Sequence, residues 1–306
     1  MTRDIAASVR GQLQNRAKQT GRPLQELLQY FAMERFLYRL SKSEHGSRFV
    51  LKGALMFRVW NAAQSRATRD IDFLARADNE VESITQMFKT VCDQDVTPDG
   101  VLFHGDTVQG IAIKEDADYS GVRVTFKATI QNAQLPMQID VGFGDVVNPA
   151  PTIIEYPAML DFEPARLAGY PPETVIAEKF EAMVKLGQLN SRMKDFYDIL
   201  ILSRQFEFDG PSLATAIQAT FQNRGTAIRT DASLFSGELA NDKSKQLQWT
   251  AFIRKSRIEG VPPAFPKVVS ELVRFLLPVT QLIEGVGRAA IAWQPDRGWQ
   301  EREASN

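Results

Sequence analysis

Cysteine and histidine are nearly missing from this chain of 306 residues, and so is any long apolar run. Cys92 is the single cysteine, so no internal disulfide can form, which fits a reducing compartment. With only His45 and His104 beside it, a Cys/His zinc site lacks ligands. No early segment resembles a signal peptide, and no stretch approaches the roughly 18 uninterrupted apolar residues of a membrane span. A cytoplasmic, soluble protein without a membrane partner is expected. Charge of one sign is absent too: 36 Lys and Arg face 37 Asp and Glu, for a formal net charge of −1. That balance excludes a broad basic field for nucleic acid but leaves room for a local basic cleft. The rest, 44% hydrophobic and 24% charged, is an ordinary globular composition, long enough for one large domain or two.

Against this background one stretch stands out, Thr68-Arg69-Asp70-Ile71-Asp72-Phe73. It is an apolar, β-favouring run carrying two acids at strand spacing. Side chains alternate along a strand, so Asp70 and Asp72 share one face while Ile71 and Phe73 share the other. Paired acids on a partly buried strand repel each other unless a cation lies between them. Mg²⁺ (or Mn²⁺) meets that need, held by one or two carboxylates plus substrate phosphates. A third strand acid follows in Met137-Gln138-Ile139-Asp140-Val141, with Ile139 and Val141 turned the other way. Asp70, Asp72 and Asp140 read together as a two-metal centre for phosphoryl or nucleotidyl transfer. The bland alternative is an acidic strand end or a single structural ion. Gly53 lets phosphate approach backbone N–H groups at a helix start. Arg66 and Arg69 flank the pair as phosphate contacts or as solvated surface arginines. Thr68 offers a hydroxyl to a phosphate or simply ends a loop.

The apolar periodicity organises the rest. Residues 4–41 read as two helices broken at Thr20-Gly21-Arg22-Pro23, and 49–60 as a further helix. A helical stripe covers 80–91. Strict alternation from Val122 to Ile130 marks a half-exposed strand, paired with 110–114 through the acidic turn Glu115-Asp116-Ala117-Asp118. An α+β fold is predicted, with an N-terminal mixed sheet and flanking helices over 1–148. A Pro-rich connection then leads into a mostly helical C-terminal domain, 149–306. Its helices are expected at 173–189, 193–205, 211–222, 244–256 and 266–283, with a frayed tail from about 294.

Two features of the helical half carry charge. Lys179 shares a helix face with Val175, Ala182 and Leu186. It either snorkels along the core or faces an interdomain cleft and meets triphosphate oxygens. Asp195 and Asp198 lie at i, i+3 on one face of the next helix, as part of a site or as salt-bridge partners of Arg192 and Lys194.

Five spaced motifs then agree: Leu51-Lys52-Gly53-Ala54, Thr68 to Phe73, Ile139-Asp140-Val141-Gly142, Ile176-Ala177-Glu178-Lys179, and Arg192 to Asp198. From about residue 35 to 205 the chain resembles the AbiEii/AbiGii nucleotidyltransferases. These are toxins of type IV toxin–antitoxin and abortive phage-infection systems, within the DNA polymerase β superfamily. The resemblance implies Gly53 as the motif-one glycine and Asp70 and Asp72 as metal ligands, with Asp140 as the third superfamily carboxylate. It further implies Lys179 as the nucleotide-phosphate lysine and Asp195 as the essential acid of the last motif, with Asp198 as its partner. By the same resemblance the expected substrate is an NTP, the acceptor a tRNA 3′ end, and the protein partner a cognate antitoxin. Arg35, Arg39, Lys185 and Arg192 are the cations available for an RNA track. One departure is Ala54, where the family usually has a second glycine and the superfamily a serine. It opens the possibility of an inactive binding module, beside the reading of a transferase acting on a small molecule or a protein.

Overall fold

A computed structural model describes residues 4–62, 66–116, 119–230, 232, 234–235, 237–287 and 291–301. The chain divides into two compact units, Met1–Asn61 with Ala67–Gly144 and Thr152–Gly169, and Ala62–Arg66 with Asp145–Pro151 and Tyr170–Asn306.

The first unit starts with α1 (Ile5–Thr20) and α2 (Leu24–Lys42). The Asp4 side chain accepts the Ala7 N–H to cap α1, and Gly21 ends that helix at φ 69°. Then come β1 (Phe49–Lys52), the one-turn α3 (Met56–Val59), β2 (Asp70–Ala75) and α4 (Val81–Cys92). The unit closes with β3 (Val101–Asp116), β4 (Tyr119–Ile130), β5 (Ala133–Phe143), β6 (Thr152–Tyr156) and β7 (Ala165–Gly169). Among the described residues these strands form one mixed sheet in the order β3-β4-β5-β2-β1-β7-β6. β2 runs parallel to β5 and antiparallel to β1, while β1 and β7 are parallel.

One sheet face is apolar for a simple reason. Ile71 and Phe73 alternate with Asp70 and Asp72, and both apolar residues are fully buried. Phe73 meets Phe49 at 5.5 Å and Phe88 of α4 at 6.3 Å, and Phe36 of α2 meets Phe126 at 5.1 Å. Each such ring contributes roughly 1.5–3 kcal/mol by leaving water, which fixes β2's register and turns its acids to the opposite face. Helix α2 is buried all round from Leu27 to Leu40, so its charges need internal partners. Asp99 provides them, 2.8 Å from Arg35 and 2.7 Å from Arg39.

The second unit contains α5 (Pro172–Leu186), α6 (Met193–Gln205), β8 (Phe208–Asp209), α7 (Gly210–Asn223), α8 (Glu238–Asn241), α9 (Lys243–Ser256) and α10 (Phe265–Ile283). β9 (Ile291–Gln294) and β10 (Gly298–Glu301) join β8 in a small antiparallel sheet.

Four expectations need correction. Residues 49–52 form a strand, not a helix; a run that is apolar on every side cannot be assigned by periodicity, and here it is a central strand buried on both faces. β6 and β7 fall beyond 148, in the stretch read as helical, yet they extend the first unit's sheet. The tail from 294 is ordered to Glu301, because Trp293 and Trp299 pack on Phe275 at 4.8 and 5.8 Å. Residues 302–306 lie outside the described residues, as do Ala117 and Asp118 of the acidic turn. Finally, Arg35 and Arg39 are buried against Asp99, so they cannot line an RNA track.

Candidate active site

Strand register assembles the first constellation. Asp72 stands directly opposite Asp140 on β5 and opposite Lys52 on β1, and Asp140 stands opposite Arg123 on β4. Residues paired in register share a face. Arg123, Asp140, Asp72 and Lys52 therefore form a cross-strand row over four strands, positive at both ends, with Asp70 two residues along from Asp72. Arg123 grips Asp140 with two hydrogen bonds, Nε to Oδ1 and Nη2 to Oδ2, both 2.8 Å. That hydrogen bonding, then the charges of Asp140, Asp70 and Asp72, holds the Arg123 guanidinium above its ordinary pKa.

Gly53 is explained by the same row. It follows β1 and, at φ +72°, opens a one-turn 3₁₀ segment that leads directly into α3. A Cβ there would lie 2.0 Å from Asp72 Oδ2 and 2.7 Å from its Cγ. Only glycine lets the backbone pass this close to the acid. Thr68 shapes the entry to β2: its N–H donates to Tyr30 Oη at 3.0 Å, and its hydroxyl lies 3.4 Å from the Asp70 amide. Arg69 is exposed. Thr68 and Arg69 line a cavity of about 270 Å³ with Pro23, Gln29, Ala67 and Pro136. That is near the lower end of small-molecule sites, about 300–1,000 Å³.

Asp70 and Asp72 supply hard oxygen donors on one half-buried face and so fit a divalent ion shared with substrate phosphates. The expected three-acid centre does not assemble. Among the described residues no three His, Cys, Asp or Glu side chains are arranged to hold a metal. Asp140 accepts from Arg123 on both its oxygens.

The second constellation lies in the second unit. Lys179 Nζ on α5 reaches Asp195 Oδ1 at 2.9 Å and Asp198 Oδ2 at 2.8 Å on α6. Arg66 binds Asp198 bidentately, Nε to Oδ1 and Nη2 to Oδ2, both at 3.0 Å. Arg192 Nε approaches Asp195 Oδ2 at 2.6 Å as a charge contact, without hydrogen-bond alignment. Burial pushes the Asp198 carboxyl up, but Arg66 and Lys179 outweigh it and hold it below its usual range. Lys179 mirrors this: burial pushes it down, while Asp195 and Asp198 raise it above the ordinary lysine value. At pH 7 Asp198 and Lys179 are therefore both ionised and offset each other.

A family model for the nucleotidyl transferase AbiEii toxin of type IV toxin–antitoxin systems matches residues 35–271. The chain belongs to that family. It is a nucleotidyltransferase, and the matched span runs through both constellations. No curated relative matches it. Two Helicobacter pylori crystal structures are similar to it: JHP933, and a protein described as a proposed nucleotidyltransferase. Each is 16% identical with a TM-score of 0.49 over 86% of this chain, covering 93% and 96% of the respective structures. Among the described residues of the transferase, no helix is long and apolar enough to cross a membrane.

Lys52, Arg123 and Arg66 are charged partners that sequence reasoning left without these roles. Arg123 had a usable signal. The β4–β5 turn pairs Ile130 with Ala133, and stepping outward equally on both strands brings Arg123 to Asp140. Arg66 had none, because it reaches Asp198 across 132 residues of sequence.

Proposed function

We propose that this AbiEii-family transferase moves a nucleotide from an NTP onto a hydroxyl at a tRNA 3′ end, arresting growth until its cognate antitoxin intervenes. The reading rests most on one observation: Asp70 and Asp72 share a sheet face at the point where Gly53 lets the backbone meet Asp72. Mg²⁺ or Mn²⁺, when bound, would supply charge neutralisation at the reacting phosphate and a more acidic acceptor hydroxyl.

In this proposal Asp70 and Asp72 hold the ion, with no role for Asp140 as a ligand. Thr68 and Arg69 contact the nucleotide, the arginine by charge and the threonine by its hydroxyl. Lys179 takes the nucleotide phosphates as a point charge, and Asp195 is the essential acid that keeps that lysine ionised and oriented, with Asp198 as its partner. The phosphoanhydride bond to pyrophosphate breaks as the bond to the acceptor oxygen forms, and the acceptor proton leaves. Most of the rate enhancement then comes from positioning and electrostatics. The chain's organisation is read accordingly, as a nucleotidyltransferase core followed by a helical region.

The test incubates the full chain with each labelled NTP separately, Mg²⁺ and total tRNA. Label in RNA that requires Asp72 supports the proposal. Label in protein or in a small molecule moves the acceptor elsewhere. No label in any fraction, together with growth arrest that survives Asp72→Ala, overturns it.

A further inference from the structure

The cavity of about 270 Å³ in the first unit lies between the start of α2 and the residues that lead into the acids. Thr68 stands two residues before Asp70, and Pro136 two before Gln138, the residue paired with Asp70. Two residues of extended chain span about 7 Å, a distance that the sugar of a nucleotide bridges between base and phosphate. Pro23 and Pro136 give the cavity apolar walls. Polar groups come from Glu26 and Gln29, which share a face of α2 at i, i+3. Gln29 is 7% exposed, and its Nε2 donates to Pro136 O at 2.9 Å. A backbone carbonyl only accepts, so the amide is fixed with Oε1 as the end left for a ligand. Arg22 donates twice to Glu26, both times to Oε1, which leaves Oε2 as a second acceptor. A carboxylate in the wall repels phosphate, so the cavity suits the uncharged end of a nucleotide. Arg69 also lines it and directly precedes Asp70, so it is the cation available to the phosphates.

We propose that this cavity holds the base of the incoming NTP, with Gln29 and Glu26 selecting a base that carries an exocyclic amino group. Adenine, cytosine and guanine each offer such a donor, whereas uracil carries carbonyl oxygens on both sides of its one ring N–H. Two fixed acceptors pair with an amino group and leave uracil's oxygens facing oxygen. Gln29 is thus a specificity-determining residue, and the Pro136 carbonyl is what orients its amide. The inference deepens the transferase reading above and rests on it.

Equilibrium dialysis of the full chain with Mg²⁺ tests it, using each of the four NTPs and inorganic tripolyphosphate. UTP is expected to bind at least about tenfold more weakly than the best of ATP, CTP and GTP, the scale of one acceptor left unpaired. Gln29→Met removes the acceptor at similar length and is expected to close that gap. Ala67→Phe, at an exposed position lining the cavity, fills it with a ring. That variant is expected to bring every NTP down to the affinity of tripolyphosphate, with tripolyphosphate itself unchanged. UTP binding as tightly as the best NTP, or a gap that survives Gln29→Met, overturns the inference alone. So does Ala67→Phe that leaves NTP affinity intact or weakens tripolyphosphate equally. No binding of any NTP, or binding indifferent to Asp72→Asn, overturns the transferase reading and this inference with it. A circular-dichroism melt of each variant separates lost affinity from unfolding, and Ala67→Phe decides the matter if Gln29→Met does not fold.

Discussion

The two charge constellations of this transferase are built by different means. On the sheet face of the first unit, register lays Arg123, Asp140, Asp72 and Lys52 in a row, and Asp70 and Asp72 keep part of their surface toward water. In the second unit Lys179, Asp195, Asp198 and Arg66 close on one another, and the two acids are buried to 1% exposure or less. The acids of β2 stay half-exposed, whereas those of the helical cluster are closed off from water. In the proposed reading an ionised group in the open row contributes to chemistry more than to folding. One in the closed cluster holds helices together whatever it does for the nucleotide.

The sharpest way to break this contrast is to remove Lys179. Lys179→Met leaves two buried carboxylates, with Arg66 beside Asp198 and Arg192 and Lys194 near Asp195. Losing one partner of a buried pair typically costs about 3–5 kcal/mol, and urea unfolding should show a loss of that size. Adding Asp198→Asn should restore part of it, since one orphaned charge goes with it. A loss under about 1 kcal/mol would mean that the cluster does not hold α5 against α6.

Asp72→Asn should do the reverse. Nucleotide transfer is expected to fall by about 10²- to 10³-fold, the scale of losing one electrostatic group at a reacting centre. Stability should change by about 1 kcal/mol or less at this half-exposed position. Transfer assays and urea unfolding on the same preparation would separate the two effects, and a large stability loss would erase the contrast between the sheet row and the helical cluster.

Glu34 sharpens the comparison by showing a buried acid without such partners. Its Oε1 lies 3.9 Å from Arg35, its Oε2 accepts the Met159 N–H at 2.8 Å, and burial pushes its pKa from 4.5 up to about 7. The sign follows. Below pH 4.5 folded and unfolded chains both carry the proton. Between 4.5 and 7 the unfolded chain releases it first, so stability falls as pH rises. Above 7 the folded chain ionises too and the loss is complete, about 3 kcal/mol at 1.36 kcal/mol per pK unit. Glu34→Gln should flatten that slope and be the more stable protein at pH 8, as measured by urea unfolding across pH 4–9. A native chain with no slope between 4.5 and 7 would show that Arg35 already compensates Glu34.

How much of this was readable from the residues depends on which period or distance carried it. Asp70 and Asp72 were legible because a strand alternates every two residues, and Ile71 and Phe73 name the buried side. Helices α6, α7, α9 and α10 were legible within a residue or so for the same reason, at a period of 3.6. Phe49 to Lys52 was not, because a strand buried on both faces has no alternation to read. The Arg123–Asp140 pair lay one turn assignment away. The Arg66–Asp198 and Asp99–Arg39 pairs join residues 132 and 60 apart in the chain, and no local pattern reports contacts made by folding.

The smallest expected effect concerns the glycine that borders the open row. Gly53 and Gly144 both have positive φ, +72° and +76°, so alanine at either should cost about 1–2 kcal/mol in a left-handed backbone. They differ in what a methyl group would meet. At Gly53 it falls 2.0 Å from Asp72 Oδ2 and 2.9 Å from Asp72 Cβ, whereas at Gly144 nothing lies within 4 Å. A short side chain rooted on a paired strand cannot retreat without swinging its carboxylate off the acidic face. Gly53→Ala should therefore lose about tenfold in transfer on top of the backbone strain, while Gly144→Ala should melt earlier and transfer at the native rate. Equal transfer by the two variants would mean that the close approach at residue 53 serves only the turn after β1, and that Asp72 is positioned by its strand neighbours alone.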